Sequence, residues 1–192
     1  MALDAIKILQ DVVQINSVNG NEEEVANYLR ALLQEHDIAT KIIPYSEGRA
    51  SLVAEIGNGN GPVIGFDGHE DTVSLGDESK WTYPPLSATV TEEGKMYGRG
   101  TTDMKSGLVA AVVAMINLKE SGVPLNGTVR LLATVGEEKG ELGAGQLAEL
   151  GYADDMEALV VCEPTGGDFA TLQQMKDTIP VSYTHLTLPT IA

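Results

Sequence analysis

Six residues with metal-binding or proton-transfer side chains follow apolar runs or a glycine-rich loop: His69, Asp71, Asp103, Glu137, Glu138 and Glu163. His69 and Asp71 stand in DGHEDTV, directly after the apolar run PVIGF. A histidine can bind a metal ion through one ring nitrogen while a nearby carboxylate accepts the proton on the other nitrogen. The pair therefore predicts His69 as a metal ligand and Asp71 as the residue that orients it. A hydrogen-bonded structural histidine is the alternative.

The remaining carboxylates extend this pattern. Asp103 lies in GRGTTDMKSG at the start of a long apolar segment, where it could bind a metal ion or cap a helix. Glu137 and Glu138 are adjacent, so they repel each other unless a cation or a proton intervenes. One of them can bind metal while the other takes a proton from metal-bound water, and a solvated turn is the alternative. Glu163 ends the apolar run ALVVC.

Alternating helical and β-rich segments must position these side chains. Residues 3–15 predict a first helix that buries Leu3, Ile6, Leu9, Val12 and Val13, and a second helix follows NGNEEE. A third, strongly apolar helix is predicted over 103–120 and a fourth near 145–150. Strands are predicted at 39–46, 50–57, 62–68, 128–136 and 157–163, with a hairpin over 88–97.

This order predicts an α/β domain with a largely parallel sheet. The uncharged PVIGF run predicts a strand that is covered on both faces. Open sheets of this kind bind ligands at the carboxyl ends of their strands. We therefore expect the histidine and the carboxylates to converge at one edge of the sheet.

Composition narrows the possible partners. The chain of 192 residues has 28 acidic and 12 basic residues and a net charge of −16, and its cations are scattered, so we expect no nucleic-acid partner. No run is long and apolar enough for a membrane span, so we expect no membrane association. Cys162 is the single cysteine, which excludes an internal disulfide and predicts a small buried residue in a cytoplasmic protein.

Four segments together resemble one family. They are IGFDGHEDTV, WTYPPLSATVTEEGKMYGRGTTDMKSG, TVGEEKGELGA and VVCEPTG. In this order they resemble the zinc exopeptidases and deacylases, a family that includes acetylornithine deacetylase, succinyl-diaminopimelate desuccinylase, aminoacylase, carboxypeptidase G and bacterial di- and tripeptidases. The resemblance implies a three-layer α/β/α zinc-peptidase-like catalytic domain.

The resemblance also implies roles and cofactors. It makes His69 and Glu163 ligands of one zinc ion, Asp103 the bridge, Glu138 a ligand of the second zinc ion and Glu137 the general acid/base. Asp71 keeps its orienting role. Two zinc ions per subunit, for which cobalt can substitute, would hold the hydroxide that attacks an amide bond. The implied substrate is a small N-acyl amino acid or a peptide, with the deacylase and desuccinylase branch favoured over the di-/tripeptidase and carboxypeptidase branch.

The resemblance covers residues 3 to about 177 and implies that residues 1–177 are the N-terminal part of a catalytic domain. The last metal-binding histidine of the family and its lid domain, through which we expect the parent protein to form a homodimer, have no counterpart here. We therefore expect the 192-residue chain alone to be inactive or nearly so. His36, at a predicted helix end, and His185 match no family motif, so neither replaces the missing ligand.

Residues 178–192, TIPVSYTHLTLPTIA, depart from the rest of the chain because they carry no charge and have no clear period. They resemble the translated read-through of a sequencing adapter, and we expect a non-native tail. A genuine edge strand is the alternative.

Two other classes of protein share some of these sequence features. A non-catalytic domain could use the same carboxylates to hold a single structural ion, but such a site needs no spare base beside its ligands. A dinucleotide-binding domain is excluded because GNGNG at 57–61 opens no predicted helix.

Overall fold

The computed structural model describes residues 3–165, and the predicted tail at 178–192 lies outside this range, as does His185. The helices and strands, in chain order, are α1 (Ala5–Gln14), α2 (Glu22–Glu35), β1 (Ala39–Ser46), β2 (Arg49–Gly57), β3 (Val63–His69), β4 (Thr89–Val90), β5 (Met96–Tyr97), α3 (Lys105–Glu120), β6 (Thr128–Thr134), α4 (Leu142–Glu149) and β7 (Met156–Val161). Short 3-10 turns occupy Glu78–Lys80 and Glu137–Lys139. Every predicted helix and strand that falls within the described residues is present.

The main sheet has the strand order β1-β2-β6-β3-β7. Strand β3 pairs in parallel with β6 and with β7, whereas β2 is antiparallel to both β1 and β6. Only β2 therefore runs against the other four strands, which confirms a largely parallel mixed sheet. Strands β4 and β5 form a separate hairpin around Gly94, as predicted.

Helices cover both faces of the sheet. On one face, α1, α2 and α3 pack a core that includes Val12, Leu29, Leu108 and Leu131. On the other face, Leu147 of α4 joins a smaller cluster with residues of β2, β6 and β7. The predicted three-layer α/β/α arrangement is confirmed. Within residues 3–165, no helix combines the length and the apolarity that crossing a bilayer requires.

Two predictions of burial are wrong. Ile6 is 55% exposed and Ile8 is buried instead, because the face of α1 that meets the core runs through Ile8 and Val12, one turn apart. Ile64 in the PVIGF run is 37% exposed. Helix α3 covers the other end of β3, where a side chain at Gly68 would collide with Met104, whereas the end that carries Ile64 is only partly covered.

Candidate metal centre

His69 is the centre of a carboxylate cluster. Its side chain is 1% exposed, and its Nε2 lies 3.2 Å from Asp103 Oδ1 and 3.5 Å from Glu163 Oε1. Glu137 Oε2 is 3.8 Å from the same nitrogen. The structure therefore brings together side chains that are separated by up to 94 positions in the sequence, at the sheet edge where the strand pattern placed them.

Parallel strand register explains this convergence. Strand β3 pairs with β6 as far as His69 opposite Thr134, and with β7 as far as Asp67 opposite Val161. The residues that follow these strands, including Glu137 and Glu163, must then leave the sheet at the same edge.

Asp103 reaches the cluster from a different kind of segment. It lies in the loop before α3, where Lys105 donates its backbone N–H to the carbonyl of Gly100, a glycine with φ of +86°. Helix α3 begins at Lys105, its N-cap residue is Met104, and no side chain caps it. The alternative that Asp103 caps this helix is therefore wrong. Its side chain is 58% exposed and faces His69.

Asp71 makes more contacts than an orienting residue needs. The His69 Nδ1 atom lies 2.8 Å from the backbone carbonyl of Asp71 and 3.5 Å from its Oδ1 atom. The two carboxylate oxygens accept hydrogen bonds from the backbone N–H groups of Glu137, at 3.0 Å, and Glu138, at 3.2 Å. One buried residue thus holds the imidazole with its main chain and the Glu137–Glu138 turn with its side chain.

The electrostatics of the cluster favour a positive charge at its centre. Burial alone would lower the pKa of His69, but hydrogen bonds to Asp103 and Asp71 raise it to about 11. Burial, with the charges of Asp103 and Glu137, raises the pKa of Glu163 to about 8. Burial, with the charges of Glu138 and Asp71, raises the pKa of Glu137 to about 7. The cluster therefore retains protons that a bound cation would displace.

The donor atoms fit metal ions. His69, Asp103 and Glu163 present ligand atoms that lie within 4.8 Å of one another, and so do His69, Glu137 and Glu138. Imidazole nitrogen and carboxylate oxygen are ordinary zinc ligands. The first group contains both predicted ligands of the first zinc ion together with the predicted bridge. The second group places Glu138 beside His69 and Glu137, so geometry alone does not separate the ligand from the base in this pair.

Several charged residues behind the site were not found from the sequence. Glu22 is fully buried and accepts hydrogen bonds from Arg49, with a shortest distance of 2.6 Å. Lys105 is also buried, and its Nζ donates to the carbonyls of α1 and its C-cap residue. Both carboxylate oxygens of Glu70 are buried without a hydrogen-bond partner among the described residues, and burial followed by the charge of Glu22 raises its pKa well above the usual value. A single charge within an otherwise apolar segment is the signal that could have indicated Lys105.

Two residues were expected to lie outside the site chemistry. His36 ends α2, and its Nδ1 atom lies 2.7 Å from Glu120 Oε1, so it joins two helix ends away from the cluster. Cys162 precedes Glu163 and is half-buried. Burial raises the pKa of the Cys162 thiol to about 11, so the thiol is protonated at neutral pH and is not a nucleophile.

Comparison with known proteins identifies the family. The family model described as peptidase family M20/M25/M40 matches residues 65–180, more than half of the chain. The chain belongs to this family. As an M20/M25/M40 member it is 49% identical, over 163 residues, to a "probable succinyl-diaminopimelate desuccinylase" of Staphylococcus aureus, a match that covers 85% of this chain and 40% of the relative. A succinyl-diaminopimelate desuccinylase of a Ruegeria species is 36% identical over 167 residues, covering 84% of this chain and 43% of the relative. The chain thus spans about two fifths of the length of these relatives.

Solved structures of M20 proteins share the fold. An M20 metallo-carboxypeptidase of Sulfolobus solfataricus aligns with a TM-score of 0.67 at 22% identity, covering 83% of this chain and 37% of that chain. A dinuclear metal-binding M20 peptidase of Bacillus subtilis aligns with a TM-score of 0.61 at 24% identity, covering 82% and 41%. These likenesses confirm the predicted fold class.

Proposed function

We propose that the complete gene product is a metal-dependent amidohydrolase that removes the succinyl group from succinyl-diaminopimelate or a closely related N-acyl amino acid. The observation that carries this proposal is the cluster of carboxylates around His69, in a chain about half identical to a relative named for this reaction. A succinyl amide is a linear amide, and its hydrolysis gives a carboxylate and an amine.

The proposed metal sites use the residues that the structure brings together. His69 and Glu163 would hold one zinc ion, Glu138 would hold a second, and Asp103 would bridge them, with cobalt able to substitute for zinc. Zinc, when bound, would polarise the amide carbonyl and make the attacking water more acidic. Asp71 supports this arrangement because it fixes both the imidazole and the turn that carries Glu138.

Glu137 is the proposed general acid/base. In the metal-free site, burial raises the pKa of Glu137 to about 7, so this carboxyl group can both accept and release a proton near neutral pH. Its carboxylate takes the proton of the attacking water and delivers it to the leaving nitrogen. Its backbone N–H is bonded to Asp71, which holds the residue against the cluster.

Paired variants of the complete gene product separate the two glutamates. Glu137→Gln should abolish turnover of succinyl-diaminopimelate while the zinc content is unchanged, whereas Glu138→Gln should lower the zinc content as well. Glu157→Gln, at an exposed position on β7, is the matched control and should change neither. Unchanged turnover in Glu137→Gln would assign the base elsewhere.

A substrate panel tests the alternatives. The structural neighbours include carboxypeptidases and peptidases, so N-succinyl amino acids, N-acetyl amino acids and dipeptides should be compared. We expect the N-succinyl substrate to be turned over most efficiently. Zinc binding with no turnover of any substrate would favour the non-catalytic metal-binding domain. Inactivity of the 192-residue chain stays a prediction, which an assay beside the complete gene product tests.

A further inference from the structure

Asp67 is a partly buried residue of β3 whose carboxylate atom Oδ1 is fully buried, and the proposed chemistry gives it no role. It lies two residues before His69 on β3, so the two side chains share one face of the strand. The residue between them, Gly68, faces Met104 and Leu108 on the opposite side of the sheet.

The surroundings of this carboxylate are almost entirely aliphatic. Asp67 lines a small pocket with Leu132, Leu147, Leu159 and two alanines of α4. Its Oδ1 atom is buried and has no hydrogen-bond partner among the described residues. Its polar neighbours are the Thr134 hydroxyl and the Gly68 N–H. A buried charge without a matching partner destabilises a fold, so retaining one at this position calls for a compensating positive charge nearby.

The positive charge that interacts with Asp67 is that of His69, in the candidate metal centre. The charges of Asp67 and His69 interact, and so do those of Asp67 and Glu163. The backbone carbonyl of Asp67 also accepts a hydrogen bond of 2.9 Å from the N–H of Cys162, directly before Glu163. Asp67 is therefore linked to both predicted ligands of the first zinc ion, and neither ligand group of the described residues includes it.

We propose that the buried carboxylate of Asp67 strengthens the binding of the cation held by His69 and Glu163 without ligating it. This inference rests on the proposed metal centre. In a medium of low dielectric, a carboxylate behind the ligands attracts a divalent ion more strongly than it attracts a singly charged imidazolium. Asp67 thus lowers the stability of the metal-free fold and raises the affinity for the metal ion.

Replacing Asp67 should therefore weaken zinc binding without destabilising the metal-free fold, a combination that a merely structural residue would not show. Zinc dissociation constants of the 192-residue chain should be measured at about pH 8 by competition with a chromophoric chelator. Asp67→Asn and the smaller Asp67→Ser should bind zinc about 10- to 100-fold more weakly, as is typical when groups outside the ligand set are changed. The melting temperature of the metal-free variants should equal or exceed that of the unchanged chain.

Glu157→Gln removes one exposed charge from the neighbouring strand and controls for net charge, so it should alter neither quantity. Unchanged zinc affinity in both Asp67 variants would overturn the inference. So would a melting temperature that falls together with the affinity, because that result indicates a packing role. If neither the unchanged chain nor the complete gene product binds zinc, the metal centre is refuted, and the role of Asp67 with it; if only the complete gene product binds zinc, the Asp67 variants are compared in that protein.

Discussion

The Glu137–Glu138 turn is attached to the sheet through one side chain, and this attachment can be tested. Asp71 is fully buried, and each of its carboxylate oxygens accepts one backbone N–H of the turn. Asp71→Asn retains one acceptor and places an amide donor against the other N–H. Asp71→Ala removes both acceptors and leaves two donors to find new partners.

The magnitude follows from the number of hydrogen bonds lost. A hydrogen bond to a charged acceptor contributes about 1.5–3 kcal/mol, so the expected loss of unfolding free energy is about 2 kcal/mol for the asparagine and about 3–6 kcal/mol for the alanine. Removing the charge of Asp71 relieves its repulsion with the neighbouring glutamates, but it also removes its attraction for His69 and Lys105. These two effects have opposite signs, so we expect the lost hydrogen bonds to set the size of the change.

Unfolding of the metal-free chain, followed by circular dichroism, measures this loss. For a domain of this size about 2 kcal/mol corresponds to a fall of about 4–8 °C in the melting temperature. Asp77→Asn is the matched control, since Asp77 also accepts a backbone N–H but does so in an exposed turn, and it should melt with the unchanged chain. If Asp71→Asn also melts at the same temperature as the unchanged chain, the attachment contributes nothing to the stability of the fold and the reasoning is refuted.

Three further outcomes are expected. Zinc affinity should rise between pH 6 and pH 8, because His69 and Glu163 must lose protons to bind the metal ion. Their pKa values are raised to about 11 and about 8 in the metal-free site. Calorimetry in buffers of different ionisation enthalpy should detect the released protons. Arg130→Met should cost about 2 kcal/mol in urea unfolding, because the buried guanidinium bonds two carboxylates and a carbonyl between β2, β6 and the segment before β7. Gly107→Ala should weaken zinc binding at least about tenfold, because its methyl group would lie 2.1 Å from the Cys162 carbonyl, next to a ligand. Gly145→Ala is the matched control for Gly107→Ala, because its methyl group meets nothing within 4 Å; it should leave zinc binding unchanged and stabilise α4 by up to about 1 kcal/mol.

Each of these outcomes has a contradicting result. A zinc affinity that is constant across the pH range would show that the metal-free ligands hold no protons. Equal unfolding midpoints for Arg130→Met and the unchanged chain would show that hydration replaces the lost bonds in full. If the two glycine variants bind zinc equally well, the close approach of α3 to β7 does not position the ligand.

The strand exits could be predicted because apolar runs are local in the sequence, and their convergence because parallel pairing obeys a general rule. Apolar runs mark β3, β6 and β7, and parallel pairing then brings the residues after them to one edge. The start of α3 could not be placed, since the apolar period continues back through Met104 while the chain around Asp103 turns instead. The burial of Ile8 in place of Ile6 depends on the direction from which α1 meets the core, which no local pattern contains.

The charges behind the site were beyond sequence reasoning for a different reason. Glu22 follows a turn in an acidic run and has the pattern of a solvated helix start, yet it is buried against Arg49 of β2. Glu70 and Asp71 are adjacent, but only the second has hydrogen-bond partners for its carboxylate. Which acidic residue becomes buried or hydrogen-bonded depends on contacts between distant segments, and the order of residues does not reveal those contacts.

The parallel pairing of β3 also has a consequence for the speed of folding. Val63 must find Thr128 on one side and Met156 on the other, so no short hairpin can begin this part of the sheet. Closing such long loops is entropically unfavourable until the whole core forms, which slows folding. Because the cluster around His69 forms only after these pairings, a metal ion bound there would stabilise the finished domain and would not accelerate its formation.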